Sequence, residues 1–351
     1  MEVMMGMGFM GLVSAGASIA TIVYKDTLCQ KYPSLSFLCS APATSAPATV
    51  TSTTPDPTTA AATTTTGGTG AGSITGKRFS PYLLLNNASV NLVGTKHPLT
   101  TLAFVVGYSN GKIQWDAGAV DMTNLKSKIT AAKKNGGGVI VSFGGQGAGV
   151  KGTKYLSELA GKYMDPVKLA DAYGAIATAL QSTWLDFDVE GGALKDTSSI
   201  DRRNKALVIL QKKRTDLRVS FTVPVGLNGL DTQTKTMLNK VKNAGVKISL
   251  VNIMAMYFTK SKTSMSAATI TATKASKPFI TSLGAKVGVT PQIGTNPDKP
   301  YTYENFTTAD AAKVVTAFKA DGDVALLSFW SLNNDVGKHG GAFTKAFKAY
   351  S

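Results

Sequence analysis

The chain has 351 residues, enough for one large domain with an appendage, and 43% apolar against 17% charged residues excludes a largely disordered or fibrous protein. With 37 basic and 21 acidic residues the net charge is +16, a balance that points to nucleic acid, an anionic envelope or an acidic polymer. Only two histidines (His97, His339) and two cysteines (Cys29, Cys39) occur, which argues against a multi-histidine metal site, a Cys-rich zinc module and most Ser-His-Asp arrangements.

Residues 3–24, VMMGMGFMGLVSAGASIATIVY, carry no charge and are long enough to span a bilayer. The stretch has no basic leader and exceeds a typical signal core, so an uncleaved membrane anchor is expected, with signal cleavage and secretion as the alternative. Lys25 and Lys31 after the span are slender evidence on orientation. Cys29 and Cys39 lie close enough for a small disulfide loop in an oxidising compartment, or they are two unpaired thiols. These features make residues 1–40 one segment. Residues 41–76 are dominated by Thr, Ala, Pro and Gly and contain almost nothing able to build a core, which predicts a flexible linker or stalk.

Residues 77–351 form the third segment. Only Lys25, Lys31, Glu2, Asp26 and Asp56 precede it, so it carries +17. Eight β-rich runs are predicted as strands: 79–85, 101–108, 137–145, 184–190, 217–225, 248–258, 286–294 and 324–330. Between them lie amphipathic stretches at 122–136, 168–182, 199–213, 232–245 and 308–322, several opening on Asp, Ser or Thr and closing near Gly as capped helices do. Eight alternations over this length suit an α/β fold of the (β/α)8 TIM-barrel type better than an open sheet, with chemistry expected at the C-terminal strand ends.

The run Asp186-Phe187-Asp188-Val189-Glu190 is the most informative. Residues two apart on a strand face one side, so Asp186, Asp188 and Glu190 share a face opposite Leu185, Phe187 and Val189. Crowding and burial of three carboxyls must raise the proton affinity of at least one, which is how a carboxylic acid stays protonated for general-acid work. An exposed edge strand and a divalent-cation site are the alternatives.

These motifs resemble glycoside hydrolase family 18, the chitinase and endo-β-N-acetylglucosaminidase family. The resemblance rests on the Asp-x-Asp-x-Glu strand followed by Gly191-Gly192, on Ser142-Phe143-Gly144-Gly145, on Asn252-Ile253-Met254-Ala255-Met256 and on Trp330. Phe79-Ser80-Pro81-Tyr82, Asp201-Arg202-Arg203 and Val289-Thr290-Pro291-Gln292-Ile293-Gly294 are similar to runs of its bacterial-type members, so the likeness covers roughly residues 78–350.

The resemblance implies a retaining, substrate-assisted hydrolase of β-1,4-linked N-acetylglucosamine polymers. Glu190 would be the general acid and base, Asp188 would orient the substrate's N-acetyl group, and Asp186 would hold Asp188. Trp330 would floor the cleavage subsite, with Tyr82, Ser142, Gly144, Gly145, Met254, Met256, Tyr257 and Gln292 around the substrate. No metal or organic cofactor is implied. Two departures from the family pattern stand out. Thr183-Trp184 replaces a leading Asp-Gly, and Tyr257-Phe258 follows Met256 where Asp-Tyr is common, removing a carboxylate expected to contact the N-acetyl sugar. A non-hydrolytic glycan-binding protein on the same fold is therefore the alternative. The implied site lies outside the cytoplasm, on a cell envelope or virion surface, and the basic surface then suits an anionic wall or envelope rather than nucleic acid.

Overall fold

The computed structural model describes residues 33–39, 74–94, 99–107, 113–146, 159, 165–259, 261 and 263–351. The apolar stretch 3–24, Cys29, His97 and nearly all of the 41–76 stretch lie outside the described residues, and among the described residues no helix is long and apolar enough to cross a membrane.

All eight expected strand positions are occupied, and they close into a barrel. The first is split into β1 (Arg78–Phe79) and β2 (Tyr82–Leu84). It is followed by β3 (Leu99–Gly107), the short antiparallel β4 (Ile113–Trp115), β5 (Gly138–Gly144), β6 (Trp184–Asp188), β7 (Arg218–Pro224), β8 (Leu250–Ala255) and β9 (Lys286–Pro291). A hairpin of β10 (Gly294–Thr295) and β11 (Asn305–Phe306) precedes the last barrel strand, β12 (Val324–Leu327). Pairing runs β1-β12-β9-β8-β7-β6-β5-β3-β2, parallel throughout. Because β1 and β2 are the two halves of one strand, the two ends of the parallel path are the same segment and the barrel closes. Pro81 has no N–H to donate at the break, while Ser80 and Tyr82 on either side donate to Leu327 and Phe329 carbonyls at 3.1 Å each.

The outer layer consists of α1 (Met122–Lys134), α2 (Pro166–Ala179), α3 (Thr197–Lys213), α4 (Thr232–Asn243), α5 (Met265–Ser282), α6 (Thr308–Lys319), α7 (Leu332–His339) and α8 (Ala342–Lys348). The side chains of Asp121, Asp165, Asp196, Asp231, Ser264 and Thr307 accept from backbone N–H groups at the first turns of α1 to α6, which fixes where those helices start. After the first strand, where an eightfold alternation predicts a helix, the described chain has only a 3-10 turn, Val90–Leu92. Helix α5 does not stand out in the sequence because it is rich in Ser and Thr and contains Pro278. Its hydroxyls bond back onto the helix instead, as Thr273 does to the Thr269 carbonyl at 2.7 Å and Ser276 to that of Ala272 at 2.8 Å.

Residues 33–39 pack on the barrel. Leu35 and Leu38 are fully buried, and Phe37 meets Trp115 edge to face at 6.1 Å. Lys126 donates to the Leu38 carbonyl at 3.0 Å. Cys39 is disulfide-bonded.

Around the lumen the strands are level. Gly144, Asp188, Thr222, Asn252 and Gly288 fall on one ring of register partners, and Ser142, Asp186 and Ser220 on the ring below. Gly288 leaves room for its neighbours, since a Cβ there would lie 2.8 Å from Leu250 Cδ2 and 2.9 Å from Asn252 Oδ1. Gly288→Ala is expected to lower stability by about 1–3 kcal/mol through this overpacking, read as a lower urea midpoint at unchanged slope.

Candidate active site

Strand β6 separates two chemistries. Its outward residue Phe187 stacks on Phe143 at 5.3 Å and meets Tyr173 of α2 edge to face at 5.2 Å. Its inward residues carry the carboxyls. Asp186, Asp188 and Glu190 thus climb one face from the barrel interior to its rim, as period-two alternation requires.

Asp186 is buried and ringed by hydroxyls. Ser142 donates to its Oδ2 at 2.7 Å, Ser220 to its Oδ1 at 2.6 Å and Tyr82 to its Oδ2 at 3.0 Å, while Thr222 Oγ1 is 3.0 Å from both oxygens. Asn252 extends the network, donating to Tyr82 at 3.2 Å and Thr222 at 3.1 Å and accepting from Thr290 at 2.9 Å. Burial raises the proton affinity of Asp186, and the donors oppose that shift, Ser220 first and Ser142 next. Burial also lifts the Tyr82 phenol well above its ordinary range, helped by the charges of Asp186 and Asp188.

Glu190 lies just beyond the strand, half-buried, and begins the 3-10 turn Gly191–Leu194 without spending its side chain on a cap. Burial raises its proton affinity above the ordinary glutamate value, and a hydrogen bond with Asp188 works against the rise. Asp188 therefore has its carboxyl joined to Glu190 above it, while Asp186 below is surrounded by hydroxyls. A half-buried acid at a cleft rim whose proton affinity is raised is placed to protonate an oxygen bound there.

A cleft of about 260 Å³ opens over these carboxyls at the C-terminal end of the barrel. Of the expected site residues, Tyr82, Asp188, Glu190, Met254, Met256, Tyr257, Gln292 and Trp330 line it together. Ser142 lies beneath, on Asp186. Gly144 and Gly145 have positive φ values of 101° and 84°. At Gly145 a Cβ would sit 2.8 Å from the Phe104 ring, so the backbone there approaches that ring closely. Phe104, not anticipated from the sequence, stacks on Trp330 at 5.7 Å, and Tyr82 is 6.1 Å from both rings.

The departure at Tyr257 also has a structural setting. Tyr257 adopts φ 58°, and Glu304 from the β10–β11 hairpin accepts the backbone N–H groups of Tyr257 at 2.8 Å, Phe258 at 2.5 Å and Thr259 at 3.1 Å. Gln146, Thr222 and Thr290 complete the polar lining and were likewise not singled out. Ser220 and Thr222, two apart on a strand, were the legible signal for the hydroxyl ring.

No protein-family model matches the chain. A probable bifunctional chitinase/lysozyme of Escherichia coli is 33% identical over 163 residues, covering 44% of this chain and 17% of that protein. Endochitinase 11 of Metarhizium anisopliae is 31% identical over 160 residues, covering 44% of this chain and 29% of that protein. The chain thus spans less than a third of the length of either curated relative. Active domain 2 of a chitinase from Pyrococcus furiosus has the same fold, with a TM-score of 0.63 and 25% identity over 80% of this chain and 98% of that one. The chain is thus similar to chitinases in sequence over part of its length and shares the fold of a chitinase domain over its barrel. In this chitinase-like domain the carboxylate strand is the fourth of the barrel, and its three acids hold graded positions from interior to rim.

Removing a donor from the buried acid should show as pH-dependent stability. Asp186 has a folded pKa raised above the ordinary 3.8, so it favours the fold most when protonated, and that contribution fades as pH rises through 3.8 towards the folded value. Ser220→Ala raises the folded pKa further. The variant is expected to lose about 1–3 kcal/mol at pH 7 and less in acid, measured by urea unfolding at pH 4 and pH 7.

Proposed function

We propose that the domain hydrolyses β-1,4-linked N-acetylglucosamine polymers of the chitin type, with retention and with the substrate's own N-acetyl group as nucleophile. The observation that carries this reading is Glu190, half-buried at the cleft rim, its proton affinity raised by burial, and hydrogen-bonded to Asp188. Its proton passes to the glycosidic oxygen as that bond to the anomeric carbon breaks. The acetamido oxygen bonds to the same carbon, giving an oxazolinium ion, and Asp188 takes the amide N–H and balances the positive charge. Water then attacks the anomeric carbon, Glu190 accepts a proton from it, and the ring opens with the configuration retained.

Asp186, saturated by Tyr82, Ser142, Ser220 and Thr222, keeps the base of the site in one arrangement, so that Asp188 meets a fixed field beneath it. The Trp330 ring, backed by Phe104 and Tyr82, offers an apolar floor for a sugar face. Relatives named chitinase support the hydrolytic reading over a binding-only one. A disulfide at Cys39 supports an extracytoplasmic setting, in line with the apolar segment at the start of the chain.

The test is turnover of a fluorogenic chitobioside by the full chain beside Glu190→Gln. The variant is expected to fall by at least about 10²–10⁴-fold while keeping its fold by circular dichroism. A variant as active as the parent would remove Glu190 from the mechanism. The acid must start protonated, so kcat/KM should fall as pH rises through the Glu190 pKa, with the basic limb above the ordinary glutamate value of 4.5.

A further inference from the structure

Tyr257 stands where the family pattern leads one to expect a carboxylate, and its surroundings specify what it offers a ligand. The phenol lines the cleft, 36% exposed, and Glu190 is near enough to act on it electrostatically. Its hydroxyl donates to Asp298 Oδ2 at 2.5 Å. Asp298 belongs to the β10–β11 hairpin and is ordered within it, its N–H donating to Asn296 Oδ1 at 3.0 Å. Tyr301 of the same hairpin packs edge to face on the Tyr257 ring at 5.1 Å. Glu304 is 2% exposed and holds the backbone of residues 257–259 to the hairpin, so the ring has little freedom to turn.

A phenol has one proton and two lone pairs. When that proton is committed to an ionised carboxylate, the oxygen can only accept from any further partner. On the reading of the site given above, we infer that Asp298 is a positioning residue that turns Tyr257 into a hydrogen-bond acceptor. The pair then receives an N–H or O–H of the bound sugar and does not donate to an acetamido carbonyl oxygen. A tyrosine alone would be free to offer either polarity. Bound to Asp298, it presents the cleft with the polarity of the carboxylate that this sequence lacks after Met256.

The experiment measures N-acetylchitotriose binding by calorimetry to the full chain carrying Glu190→Gln, alone and with Tyr257→Phe, Asp298→Ala or both. Asp298 is exposed, so its removal does not threaten folding. Each single change is expected to weaken binding about three- to tenfold, and the double variant should bind no more weakly than Tyr257→Phe alone, because Asp298 acts through the phenol. Asp298→Ala that binds like its parent, or penalties that multiply in the double variant, would overturn the inference. Repeating Tyr257→Phe with cellotriose, which has hydroxyls but no acetamide, assigns the donor: an equal penalty means a sugar hydroxyl, and a penalty confined to chitotriose means the amide N–H. Wild-type turnover that vanishes in Glu190→Gln keeps the hydrolase reading standing whatever Tyr257 does, whereas a chain that neither cleaves nor binds overturns both.

Discussion

A buried carboxylate surrounded by hydroxyls is the constraint on which the centre of this barrel depends. Asp186 accepts from β2, β5 and β7 at once, so one side chain ties three other strands of the barrel to β6. A charged group at that depth would be costly in an apolar lumen. Here Ser, Thr and Tyr oxygens take the place of water, and the polar ring extends through Asn252 to Thr290 on β9. The two layers above and below the strand therefore differ in kind. Outward, Phe143, Phe187, Phe221 and Tyr173 pack as an aromatic girdle under the helices. Inward, hydrogen bonds set the geometry, and a hydrogen-bonded ring permits less rearrangement than an apolar contact does.

This arrangement gives like residues on one strand unlike surroundings. Burial raises proton affinity at Asp186 and at Glu190, but the compensation differs. Asp186 has several hydroxyl donors pulling its affinity back down, while Glu190 has the Asp188 contact. The residue nearest solvent thus has the fewest partners, and the deepest has the most. The difference follows from where the donors lie along one strand.

Much of this was legible in the sequence, and what was missed shares a physical cause. Continuous apolar runs with β-branched residues announce buried parallel strands, and the period-two spacing of Asp186, Asp188 and Glu190 announces one shared face. Capping residues marked the helix starts. By contrast, Phe104 is one apolar residue among many in its strand, and only the folded chain shows it beneath Trp330. The partners of Tyr257 lie 41 and 47 positions away in a hairpin with no periodic signal. Likewise, nothing in the local sequence indicates that the space above Gly145 is filled by the Phe104 ring. Local pattern reports which face a residue takes; it says nothing about which distant loop will meet it.

The seating of residues 33–39 on the barrel changes the part played by the low-complexity stretch. Pro33–Leu38 and Ile74 belong to the folded domain at either end of that stretch, with Leu35, Leu38 and Ile74 all buried. Residues 40–73 are therefore joined at both ends to the same body. A segment fastened at both ends to one body acts as a handle on that body, not as a tether between two. The separation between the barrel and anything attached before Pro33 is independent of its length. Lengthening or shortening the stretch would then alter loop-closure entropy, which grows only with the logarithm of loop length, and leave the reach of the cleft unchanged.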